Sequence, residues 1–403
     1  MKREHRKQKV LFIDSGGGYG GPSKFLYYLL KYLDRSKFDP AVVFYFYNDG
    51  PDTSRIKNLG VPVFFLKDTR EPAGYVPVKW LLGHSRSRHI HRAKVALRFL
   101  VRLSVIESPL ICKLKKLIEH EAINLVILNN DVHYHLIGTL GAKIAGAPCI
   151  CRKAGGIGEG RGMKKFLTRH VDVFIAVSRA TAEDQVRNNP ATKRLVTISE
   201  GIDLQMYHSK TQYYGKRDEL GIPASKKVVG NISRFDRGKG QTELLNAAAL
   251  ITGKYPEVVF LMVGDGELRR ELQERARILN ITDYVLFTGW RNDIAEILSI
   301  TDIFVHCPTA IEGLGIANLE AMAMGKPSVV SDSGGLTDAV LDTITGFIVP
   351  PGDTERLSKA ILKLLEDGEL AMRLGKNARK RIEENFDIEK NIRKLEKLFA
   401  LYV

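Results

Sequence analysis

The chain has 403 residues, 44% hydrophobic and 27% charged, with a net charge of +15, an ordinary globular balance with enough length for two cores. No run approaches 18 uninterrupted apolar residues and no apolar core follows Met1-Lys2-Arg3, so neither a spanning helix nor a secretory leader is indicated, and a cytoplasmic location is the expectation. Cys112, Cys149, Cys151 and Cys307 lack zinc spacing, which points to reduced, mostly buried thiols rather than a disulfide framework.

The first strand-like run, 10–13, leads into Gly16, Gly17, Gly18, Gly20 and Gly21 and then a helical pattern over 23–30. Gly16, Gly18 and Gly21 fit the spacing of a dinucleotide-binding turn, and Asp49 closes the next strand, so an NAD-dependent oxidoreductase is one reading. The acidic residue arrives later than the roughly 20 residues such a fold expects. Strand-like runs recur at 42–46, 61–66, 125–128, 149–151, 173–177 and 195–198. The positive charge belongs wholly to this half: residues 1–203 carry 34 Lys and Arg against 18 Asp and Glu, residues 204–403 carry 27 against 28.

Part of that excess is Arg86, Arg88, Arg92, Lys94, Arg98 and Arg102, interleaved with Leu97, Phe99, Leu100 and Leu103. This predicts a basic helix with a broad apolar side over 91–103, either packed on the core with a solvated basic face or lying on an anionic membrane surface. Nucleic acid is not expected as a partner, because no recognition motif accompanies the charge. After the fourth strand, Asp131 and His133 can either face a substrate or cap a helix beginning near Tyr134. Arg152 and Lys153 follow the fifth and suit an anion or a plain surface loop.

A polar tract over 204–226 reads as a linker between domains 1–203 and 227–385. A second series of strand-like runs then begins at 228 and continues at 258–263, 284–288, 303–305, 328–331 and 347–349. Alternation with helices over both halves predicts an α/β protein of two doubly wound parallel sheets, with a ligand crevice at the strands' C-terminal ends. The loop after 228–232 carries Arg234 and Lys239, a guanidinium fork and an ammonium able to neutralise a diphosphate, or two solvated surface cations. The loop after 303–305 carries Glu312, Gly313, Leu314 and Gly315, then Ile316 and, one turn into a helix, Glu320. Bare glycine backbone at a helix start and two carboxylates suit a polyhydroxylated, phosphate-bearing ligand; the plain alternative is one solvated glutamate and one helix cap. No Asp-x-Asp occurs, so a metal-bound diphosphate is not indicated.

Ser233-Arg234-Phe235 with Lys239, Val263-Gly264-Asp265-Gly266-Glu267, Val285 to Gly289, Glu312-Gly313-Leu314-Gly315 with Leu319-Glu320-Ala321, Gly325-Lys326-Pro327 and Thr345 to Asp353 together resemble the family-four retaining glycosyltransferases of GT-B architecture. The resemblance implies two Rossmann-like domains facing a cleft, with the last helix (386–403) crossing back onto the first. It implies a nucleotide-diphosphate sugar as co-substrate, no further cofactor or metal, and a glycan or lipid-linked acceptor. Arg234 and Lys239 would hold the diphosphate, Glu312 the donor sugar and Glu320 the ribose. Gly17, Gly18 and Gly264 would face the donor, and Trp290 and Arg291 would lie by the base. Asp131 or His133 would take the first-domain position where the family often has a histidine. Asp338 departs from the family's usual glutamate. A nucleotide-sugar-binding protein without catalysis is the remaining alternative.

Overall fold

The computed structural model describes residues 7–14, 21–47, 51–67, 107–154, 163–208 and 215–403. The glycines 16–20 and the basic segment 86–102 lie outside the described residues, and so does the nicotinamide reading that depends on that glycine turn.

Two all-parallel sheets form. The first comprises β1 (Gln8–Asp14), β2 (Phe38–Phe46), β3 (Val63–Lys67), β4 (Leu125–Asn129), β5 (Cys149–Lys153), β6 (Val173–Ala176) and β7 (Leu195–Thr197), in spatial order β3-β2-β1-β4-β5-β6-β7. The second comprises β8 (Lys227–Ile232), β9 (Val258–Val263), β10 (Val285–Gly289), β11 (Ile303–His306), β12 (Ser328–Ser331) and β13 (Gly346–Val349), in order β10-β9-β8-β11-β12-β13. Central strands such as Val-Val-Phe-Leu-Met-Val of β9 are apolar without alternation because helices cover both faces, as a parallel sheet requires. Three thiols, Cys149, Cys151 and Cys307, are buried and all four cysteines are unpaired, as their spacing suggested.

In each sheet the chain order reverses beside the first strand, between β1 and β4 and between β8 and β11, so the loops leaving those strands diverge and open a crevice. The helix Ile388–Phe399 crosses back to the first sheet: Ile388, Ile392, Leu395 and Phe399 join the core of Val10, Phe12 and Phe25. Asp387 starts it, its side chain accepting from the backbone N–H groups of Glu389 and Lys390. Just before, Ile202 and Asp387 form a short parallel bridge, and Gly201 packs so closely on Ile388 that a Cβ would collide with its backbone. On either side of the undescribed residues 209–214 the chain is anchored: Tyr207 is fully buried, and Lys216 contacts Asp293 (2.7 Å) and Glu296 (2.8 Å).

Candidate active site

The loop leaving β8 is pressed by backbone against those leaving β11 and β9. At Gly240, whose φ is +81°, a Cβ would strike the carbonyl of Cys307, and at Gly264 one would strike the carbonyl of Ser233. Gln241 pins the first loop, donating to Ser233 Oγ (2.8 Å) and to the Arg234 carbonyl (2.6 Å). This packing brings Lys239 Nζ to 2.7 Å from Glu312 Oε2 across 73 positions of sequence. Arg234 stands on the same loop with 58% of its side chain exposed and its guanidinium 2.9 Å from Asp236.

Glu312 is fixed from behind. Its N–H donates to Ser333 Oγ (3.3 Å), its carbonyl accepts from the Gly335 N–H (3.0 Å), and Gly334, with φ +56°, leaves room for that carbonyl. Burial opposes ionisation of its carboxyl, but His306 and Lys239 outweigh burial and hold it well below the ordinary carboxylate range. The acid is therefore an anion at any pH where the protein works. Leu314 is buried beneath the loop. Gly315, left-handed at φ +76°, starts the helix Ile316–Ala323 with no side-chain cap, so its first amides are not taken by a capping side chain.

Glu320 is buried and turns toward the first domain, where Lys24 binds its Oε1 and also donates to Tyr207 Oη (3.0 Å). Lys24 belongs to the helix Gly21–Tyr32, and a Cβ on Gly21 would just touch Ile316 (3.4 Å). The two domains thus meet at Glu320. A second meeting point is Asp338, which accepts from the backbone N–H of Arg179 at the start of the helix Arg179–Asn188. The residue that departs from the family pattern is an interdomain helix cap here.

Trp290 follows β10 with 46% exposure. Arg291 is occupied by Asp293 (2.8 Å) and Glu219 (2.6 Å), so its fork is turned to the protein. In the first domain, Asp131 is buried between Lys164 Nζ (3.0 Å) and His133 Nδ1 (3.0 Å). Burial raises its pKa, but those two partners bring it down to about 2. Asp131 also accepts from the His133 backbone N–H, capping the short helix Val132–Tyr134; the longer helix Leu136–Ala145 that follows has no side-chain cap at His135. His133 keeps 37% exposure.

Arg152 and Lys153 end β5 and are buried, which overturns the surface-loop alternative. Lys153 pairs with Asp184. Arg152 pairs with Glu200, donates to Asn129 Oδ1 (3.0 Å) and lies 4.4 Å over the Phe25 ring. Burial pushes the Glu200 carboxyl up, Arg152 pulls it down, and the charge of Glu312 adds to the rise, so this acid between the domains senses the donor-side carboxylate. Lys24, Tyr207, His306 and Lys164 were not singled out by sequence reasoning; no local motif marks them, because each matters only through a distant partner.

Two facing doubly wound domains with paired charges at their switch points define a two-domain α/β protein of GT-B architecture. The chain belongs to the group 1 glycosyltransferases of family four. The model described as "Glycosyl transferases group 1" matches residues 215–381, and "Glycosyltransferase Family 4" matches 19–206. Alpha-maltose-1-phosphate synthase of Mycolicibacterium smegmatis is 30% identical over 292 residues, 63% of this chain and 74% of that protein. The UDP-Gal:alpha-D-GlcNAc-diphosphoundecaprenol alpha-1,3-galactosyltransferase of Escherichia coli is 28% identical over 289 residues, 66% of this chain and 74% of that one. Among solved structures, Anabaena HepE in complex with UDP-glucose superposes with a TM-score of 0.79 at 25% identity, covering 97% of this chain and 99% of that one.

Proposed function

We propose that the protein is a retaining, metal-independent hexosyltransferase moving a sugar from a nucleoside diphosphate to a lipid-linked or glycan acceptor in cell-surface polysaccharide synthesis. The observation that carries this is the Lys239–Glu312 pair at the second domain's switch point, an anion and a cation set beside uncapped helix amides. A sugar leaves diphosphate through an oxocarbenium-like state in which negative charge grows on the phosphate. Lys239 and Arg234 stabilise that charge more than the ground state, Glu312 faces the sugar and Glu320 the ribose. His133, with 37% exposure, is the first-domain group we assign to the sugar, and the leaving phosphate takes the acceptor's proton. Among the described residues no three His, Cys, Asp or Glu side chains converge as metal ligands, and Lys239 carries the charge an ion would otherwise supply.

A diphosphoundecaprenol-linked substrate in the name of the E. coli relative supports a lipid-linked acceptor. The basic segment 86–102 would bring the enzyme to the inner membrane face, and among the described residues no helix is long and apolar enough to cross it. The test is a thermal-shift panel of nucleotide sugars followed by a turnover assay. Saturation at 100 times the dissociation constant stabilises by roughly 2.7 kcal/mol, and turnover persists in EDTA. Donor binding without transfer or slow hydrolysis would make the chain a binding protein, and loss in EDTA with rescue by Mg²⁺ or Mn²⁺ would overturn metal independence.

A further inference from the structure

His306 ends β11 directly beneath the Glu312 loop and is 4% exposed. Neither of its ring nitrogens has a hydrogen-bond partner among the described residues. Leaving a buried imidazole unsatisfied costs about 1–3 kcal/mol, which an apolar side chain at the same place would not. The place suits an apolar ring: His306 stacks on Phe304 with centroids 6.5 Å apart, and a Cβ on Gly315 would come to 3.6 Å from it. What the imidazole has that phenylalanine lacks is Nε2, 3.6 Å from Glu312 Oε2. That is the oxygen already held by Lys239 at 2.7 Å. A distance of 3.6 Å is too long for a hydrogen bond, yet less than 1 Å from one.

Resting on the reading that Lys239 serves the donor diphosphate, we propose that His306 is a positioning residue: it takes over Glu312 Oε2 when Lys239 turns to the phosphate. A diphosphate that draws on the Lys239 ammonium competes with Glu312 for its charge and its N–H donors. Without a second partner, the half-buried carboxylate would lose counter-charge and orientation at the moment the sugar binds. His306 supplies a replacement donor on the same oxygen, so that Oε1 stays turned to the sugar throughout. Arg234, paired with Asp236 and mostly exposed, leaves Glu312 to these two groups.

The first arm of the test needs no ligand. Lys239→Met imitates the departure of the lysine, and the ring ¹⁵N signals of His306, assigned by their loss in His306→Phe, report its bonding. The signals move in Lys239→Met and stay at their wild-type positions in the Lys239→Met, Glu312→Gln double variant. Signals that do not respond to Lys239→Met, or respond equally without Glu312, overturn the proposal whatever the substrate proves to be. The second arm uses UDP-glucose turnover. His306→Phe lowers kcat about tenfold with KM within twofold, His306→Gln recovers most of the loss, and in a Glu312→Gln background the substitution has no further effect. Equal losses in both backgrounds would show a merely structural role. A wild type that neither binds nor turns over any nucleotide sugar would defeat the functional reading, while the ¹⁵N arm still decides this one.

Discussion

Glu312 in the second domain and Asp131 in the first are both carboxylates on loops at the C-terminal ends of strands; Asp131 is buried at 2% exposure, Glu312 keeps 18%, and both are held as anions by a lysine and a histidine. The difference lies in the lysine. Lys164, which pairs with Asp131, is itself buried at 4% exposure, whereas Lys239 keeps 28% exposure. An acid whose counter-ion is sealed in with it is part of the scaffold. An acid whose counter-ion can turn to a ligand is part of a binding site. Asp131 holds His133 and caps the strand-end helix, and on the proposed function Glu312 is the acid that meets the ligand.

The largest effects should separate these two acids. Lys239→Ala or Arg234→Ala lowers kcat about 100-fold or more, the scale for a lost partner of transition-state charge. Asp131→Asn, acting only through His133, costs about tenfold. Steady-state kinetics with the preferred nucleotide sugar decides the matter. Unchanged rates for the two cation variants would remove them from the mechanism, and a greater loss for Asp131→Asn than for Lys239→Ala would reverse the contrast.

The second-domain site should also depend on backbone approach in a way that can be isolated. Gly240 and Gly352 have nearly the same left-handed φ, +81° and +79°, but only Gly240 faces a carbonyl where a Cβ would sit; Gly352 has nothing within 4 Å. Gly352→Ala pays for conformation alone, about 1 kcal/mol. Gly240→Ala must also push the β8 and β11 loops apart, costing about 3 kcal/mol or more and separating Lys239 from Glu312. Urea unfolding with a parallel activity measurement checks both; equal costs would mean the loops are not pressed together at Gly240.

Much of this was legible in the sequence. Unbroken apolar runs separated by helical patterns gave two parallel sheets, since only strands covered on both faces read that way. Arg234, Lys239, Glu312 and Glu320 could be picked out because glycines and strand ends mark their loops. What sequence could not supply is who faces whom. Arg234 and Lys239 look equivalent on paper, yet one pairs with its neighbour Asp236 at the surface and the other with Glu312 across the site. Tyr207 sits in a tract that looks polar but is fully buried, because Lys24 and the carbonyl-seeking Arg379 close over it. These pairings depend on how the two domains come together, and no local pattern encodes that.

The sealed pair in the first domain should be visible in the pH dependence of stability. The usual Asp pKa of 3.8 is brought to about 2 in the folded protein, so the group's contribution is complete above the usual value and disappears as pH falls toward 2. A shift of that size corresponds to about 2 kcal/mol. The gap in stability between wild type and Asp131→Asn should be constant from pH 7 to about 5 and narrow steadily between pH 4 and 2.5. Unfolding midpoints across that range are the measurement, and a gap that widens on acidification contradicts the burial and pairing of Asp131.

The smallest effect belongs to the surface. Lys31, on the same helix as Lys24, reaches Asp203 Oδ2 at 2.8 Å where the chain leaves the first domain, but its side chain is 37% exposed. Asp203 does not rely on it, because Oδ1 already accepts from the N–H groups of Gln205 (3.0 Å) and Met206 (3.2 Å). Removing an exposed partner from a carboxylate held by backbone should cost less than 1 kcal/mol, and added salt should screen most of that. Lys31→Ala should thus shift the urea midpoint slightly at low salt and hardly at all in 1 M NaCl. A shift as large as that of Gly352→Ala, persisting in salt, would mean that Lys31 fastens the domains together as Lys24 does and that exposure alone does not separate the two lysines.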